Sequence, residues 1–114
     1  MVCASLLLAL LLATTSAPRP IFAHLDDCPA VIVETFGEQA EGACQIAYCE
    51  TGGTFDPDAT GRAGERGLFQ IHPGWGVRST YDPAANAAFA YELSRGGTRW
   101  SRDWVWCSAR YGLP

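Results

Sequence analysis

One glutamate in this chain has a setting suited to acid chemistry. A helix is predicted over 38–50, ended by Thr51-Gly52-Gly53. At about 100° per residue, Ala43, Ile46 and Ala47 fall within about 60° of Glu50 on that helix. Glu50 therefore extends the apolar stripe, and a carboxyl in apolar surroundings resists ionisation. It also sits at the helix C-terminus, where the dipole disfavours negative charge. Both effects hold a proton on Glu50 near neutral pH, the state a general acid needs to protonate a leaving oxygen such as a glycosidic one. Asp56, Asp58 and Glu65 follow on or near a loop and could hold a water. Of these, Asp56 in its Asp-Pro pair reads as a turn residue and Glu65 as a solvated one.

Other chemistries find less support. His24 and His72 are far apart, and no Cys/His spacing resembles a zinc site, so no metal is expected. Neither a Gly-x-Ser-x-Gly elbow nor a phosphate-cradling glycine loop occurs, and no organic cofactor is expected. His72 precedes a proline and reads as structural. Trp75 follows a Pro-Gly turn and is a candidate for stacking on a ring, whereas Trp100, Trp104 and Trp106 read as core beside Cys107.

The elements that must position Glu50 follow from punctuation. Asp26-Asp27-Cys28-Pro29 looks like a helix start, with a short helix over 29–36 ended by Gly37. Acidic residues open the helix over 38–50. Residues 51–66 form a long loop rich in Gly, Asp, Thr and Pro, and such loops are often functional. Residues 67–71 (Gly-Leu-Phe-Gln-Ile) read as a short strand or extended segment, ended by His72-Pro73-Gly74. Asp82-Pro83 opens a further helix that runs to Arg95 and closes at Gly96-Gly97. The expected class is α+β, mainly helical with a small β element.

The length of 114 residues allows one domain. Residues 1–23 read as a secretory signal peptide: the apolar run 6–13 is too short to span a bilayer, and cleavage after Ala23 is preferred to cleavage after Ala17, which would leave Pro18 first. The domain is then 24–114, secreted or in the cell envelope, with no membrane span. All eight cations are arginine, against 12 acidic residues. An acidic chain without a basic stripe argues against nucleic acid as a partner. Cys3 leaves with the peptide, so Cys28, Cys44, Cys49 and Cys107 remain, and a secreted domain this small commonly needs disulfides. Cys44 and Cys49 lie about 140° apart on their helix and cannot bond each other. Two pairings survive: Cys28–Cys44 with Cys49–Cys107, or Cys28–Cys49 with Cys44–Cys107. The first is preferred because it closes a short loop and ties the C-terminus to the far end of the helix.

Three blocks carry a resemblance. They are Cys49-Glu50-Thr51-Gly52-Gly53, Phe55-Asp56-Pro57-Asp58-Ala59, and residues 64–73, which read Gly-Glu-Arg-Gly-Leu-Phe-Gln-Ile-His-Pro. Together they resemble the motif of the soluble lytic transglycosylase and goose-type lysozyme group. Asp82-Pro83, Asn86 and Ala90-Tyr91-Glu92-Leu93 resemble that group's later helix, and 100–107 resembles the Trp- and Cys-bearing tail of its small secreted members. The likeness covers about residues 40–107.

The resemblance implies a lysozyme-like fold with its β element beside a cleft. It implies a secreted, peptidoglycan-cleaving glycosidase, with cell-wall glycan strands as partner and a monomer as the expected state. Glu50 matches the catalytic glutamate and Gln70 the cleft glutamine. Leu68, Phe69 and Ile71 match the cleft wall, and Asn86 and Tyr91 the later helix. Thr60 and Trp75 complete the expected substrate contacts. Glu50 would protonate the β-1,4 oxygen between N-acetylmuramic acid and N-acetylglucosamine. Either the muramoyl 6-hydroxyl or water would then complete the reaction, giving an anhydro sugar or a lysozyme product. The chain departs from the motif in three places. Gly61 replaces a frequent Ser, with Thr60 adjacent; Glu65 replaces the usual Ala; and two extra residues separate Glu50 from Pro57. A rival class is a noncatalytic wall-binding or signalling module on the same fold, which the acidic charge mildly favours.

Overall fold

A computed structural model describes residues 26–114. The predicted signal peptide and its cleavage point lie outside the described residues. Within them are four α-helices: α1 (Ala30–Phe36), α2 (Ala40–Glu50), α3 (Pro83–Leu93) and α4 (Val105–Tyr111). A 3₁₀ turn, Gly37–Gln39, joins α1 to α2, and a second, Pro73–Arg78, precedes α3.

Local chemistry accounts for the helix ends. Pro29 stands at the N-cap of α1, and Gly37 stops it with φ of 54°, a left-handed value that suits glycine. Asp82 caps α3 by accepting the Ala85 N–H at 2.9 Å, with Pro83 at the first helical position. In α2, Ala40, Ala43, Cys44, Ile46 and Ala47 are buried, the spacing of one helical face. Their small side chains admit close neighbours: α1 and α4 both pack on α2, and α1 also packs on α3.

The centre of the core is aromatic. Trp100 is fully buried, stacked on Phe69 at 5.9 Å and edge-on to Trp104 at 5.0 Å. Its indole N–H donates to the Gly97 carbonyl, and that of Trp104 donates to the Phe69 carbonyl at 2.8 Å. Trp106 departs from the expected core role and is 88% exposed on α4. Two disulfides brace the helices, Cys28–Cys44 and Cys49–Cys107, the preferred pairing. The second pins α4 to the residue next to Glu50.

The β element is smaller than expected. The described residues contain no strand, only isolated antiparallel bridges, Thr60 to Arg66 and Arg66 to Ile71. The stretch over 67–71 is a tight turn rather than an extended segment. Arg66 and Ile71 exchange backbone hydrogen bonds at 3.1 and 3.0 Å, and Gly67 and Gln70 both have positive φ between them. Leu68, Phe69 and Ile71 all enter the core from this turn, with Phe69 held between Trp100 and Trp104. The domain is therefore mainly helical, without the strand that an α+β class requires.

Candidate active site

Glu50 is the last residue of α2 and is half-buried. Behind it the helix closes tightly. The Thr51 hydroxyl donates back to the Ala47 carbonyl at 2.8 Å and accepts the Phe55 N–H at 2.8 Å. Gly53 donates to the Tyr48 carbonyl at 2.7 Å with φ of 85°. These bonds turn the chain sharply at the helix end. The Glu50 carboxyl is pushed up from 4.5 to about 7, first by burial and second by the charge of Glu65. At neutral pH it is thus divided between acid and anion, the balance a proton donor needs.

Glu65, whose charge acts on Glu50, sits in a tightly folded loop. Gly61 donates to the Glu65 carbonyl at 2.8 Å, and the Glu65 carboxylate accepts the Ala63 N–H at 2.8 Å. Arg66, its neighbour in sequence, is engaged elsewhere, donating to the Ser79 carbonyl and lying over the Tyr81 ring. Among the described residues the ion pairs are Arg78–Glu92 and Arg102–Asp103, and neither includes Glu50 or Glu65.

Gln70 closes the same loop. With φ of 49°, it donates both amide protons, to the Ala59 and Gly67 carbonyls, each at 3.0 Å. Its Oε1 is left facing Gly61. Asn86 staples this turn to α3. It accepts the Phe69 N–H at 2.9 Å and donates to the Arg66 and Thr80 carbonyls at 2.8 and 2.9 Å. Gly67 is required here twice, for its φ of 79° and because a Cβ would stand 2.5 Å from the Asn86 amide nitrogen.

The chain matches no protein-family model, no curated protein and no solved structure.

The expected contacts fall into three groups. Gln70, Ile71 and Trp75 line one cavity of about 240 Å³, together with His72, Leu93 and Arg102. Trp75 is 44% exposed there and edge-on to Phe89 at 5.3 Å. Thr60 is exposed, its hydroxyl bonded to that of Tyr81 at 2.6 Å. Phe69 and Asn86 are both fully buried, Phe69 in the aromatic core and Asn86 in the staple. Tyr91 is exposed and rests edge-on against Phe36, beside Gly96, without a hydrogen bond to Glu50. A larger cavity of about 420 Å³ is lined by Glu38, Glu41, Gln45 and Tyr111 among others, and no expected contact lines it. Among the described residues no group of three His, Cys, Asp or Glu could hold a metal.

Glu65, read from the sequence as solvated, is half-buried in the turn over Gly61. Its type was visible, but a loop glutamate reads as solvated until the turn that folds it over Gly61 is known.

Proposed function

We propose that this domain is a secreted, lysozyme-like glycosidase that cleaves the β-1,4 bond between N-acetylmuramic acid and N-acetylglucosamine in peptidoglycan. The observation that carries the reading is Glu50: a half-buried carboxyl at a helix end, holding its proton to about pH 7 beside a polar loop. Glu50 donates that proton to the bridging oxygen, the C1–O bond breaks, and the N-acetyl group of the substrate shares the charge that develops on C1. Gln70 and Trp75 line one cavity, which supports the reading as a site for sugar units of the substrate. The two disulfides fit an oxidising, extracellular setting.

The test is release of soluble fragments from dye-labelled peptidoglycan. The disulfide-bonded protein should release dye, and Glu50→Gln should lose at least about a hundredfold of the rate while melting as a folded protein. Equal release by both would remove Glu50 from the chemistry. No release by the folded wild type from several wall types would sink the enzyme reading.

A further inference from the structure

Gly61 is small for a reason unrelated to backbone freedom, since its φ lies outside the left-handed region. A Cβ there would stand 2.5 Å from the Gln70 Oε1 and 2.6 Å from the Glu65 Oε1. Two oxygens therefore converge on the space above Gly61, no more than about 5 Å from each other. Both are acceptors. The Gln70 amide is oriented unambiguously, because its nitrogen serves two carbonyls. Among the described residues nothing donates to its Oε1, and Glu65 has only the Ala63 N–H. Neither group is sealed from solvent: no buried polar side-chain atom in the described residues lacks a partner. Two acceptor groups within about 5 Å of each other can share a molecule that donates two hydrogen bonds, and water is the smallest such molecule.

Building on the glycosidase reading, we propose that Glu65 and the Gln70 amide oxygen hold the water that attacks the anomeric carbon, with Glu65 as its base, so that the domain hydrolyses its substrate. Glu50 gives its proton to the bridging oxygen, and the C1–O bond breaks with its electron pair on that oxygen. The water oxygen forms the new bond to C1 and its proton passes to Glu65. Proton exchange with solvent then restores acidic Glu50 and anionic Glu65. The carboxyls must be close for this to work, and Glu65 does act on Glu50 electrostatically. The tight 61–65 turn aims the carboxylate, and the bare Gly61 leaves the water its space. These are two of the positions where the chain departs from the motif it resembles, and the structure makes one device of them: a larger residue at 61 would strike the carboxylate that 65 supplies.

The experiment digests peptidoglycan in ¹⁸O-labelled water and weighs the released ends by mass spectrometry. Wild type, Glu65→Gln and Gly61→Ala are compared, each checked by thermal melting. Glu65→Gln keeps an acceptor for the Ala63 N–H, and Gly61→Ala keeps both carboxyls but fills the gap. The wild type should give reducing ends carrying one label. Both variants should lose about a hundredfold of the labelled ends. Wild-type ends that are unlabelled and lighter by one water would overturn the proposal while leaving the glycosidase reading intact. Labelled ends formed by either variant at the wild-type rate would overturn it too. A folded wild type that cuts nothing would remove both the reading and the proposal.

Discussion

Replacing Glu50 with Gln should stabilise the protein at alkaline pH and leave it unchanged in acid. Folding moves the carboxyl from 4.5 to about 7, chiefly through burial and secondly through repulsion from Glu65. Between those values the unfolded chain has released the proton and the folded protein keeps it. The native state thus binds more protons, and stability falls as pH rises through this window. Below it the penalty is absent; above it the penalty is complete. Full conversion of the shift gives a ceiling of about 3 kcal/mol. Glu50 retains part of its surface in water, which screens the charge and lowers the expectation to roughly 1–2 kcal/mol. In a domain of this size each kcal/mol moves Tm by about 4–8 °C. Glutamine has nearly the same shape and never carries the charge. Thermal melts with the disulfides intact should therefore place Glu50→Gln about 5–15 °C above wild type near pH 8. The two curves should coincide near pH 4. A difference independent of pH, or a variant less stable than wild type in alkali, would refute the burial of this carboxyl.

The charge of Glu65 supplies a companion test. In a ¹³C NMR titration, Glu65→Gln should lower the Glu50 midpoint from about 7, and an unmoved midpoint would separate the two carboxyls. Cleavage by wild type should decline as pH rises through about 7, where Glu50 loses its proton, which a pH–rate profile reads directly. Replacing Cys49 and Cys107 together with Ala opens a crosslink spanning 58 positions; urea unfolding should show a loss of about 4 kcal/mol. Asn86→Ala removes three hydrogen bonds from a fully buried position and should cost about 3 kcal/mol, so an unchanged melting point would contradict the staple.

Much of the frame was legible in the sequence because it rests on local rules. Pro29, Gly37, Asp82, Pro83 and Gly96 mark helix ends through constraints on single residues, and the observed helices begin and end within a few residues of them. Glu50 could be placed on the apolar face from its spacing to Ala43, Ile46 and Ala47, all three buried. The cysteine pairing was narrowed to two by helix geometry alone. The stretch over 67–71 was not legible, because its apolar residues suit a buried strand and a buried turn equally. What decided between them was Phe69, drawn into contact with Trp100 and Trp104 from more than thirty residues away.

The sequence by itself determined the helical scaffold, the proton-holding character of Glu50 and the need for crosslinks. These follow from periodicity, from helix ends and from a chain too small for a large core. Only the tertiary structure decided which residues meet. It withdrew Phe69 and Asn86 into the interior, turned Trp106 outward, and folded Glu65 and Gln70 over Gly61. The physical reason is that a loop side chain has no periodicity to fix its direction. Its surroundings depend on hydrogen bonds such as Gln70 to Ala59 and Asn86 to Arg66, which exist only once distant segments are packed together.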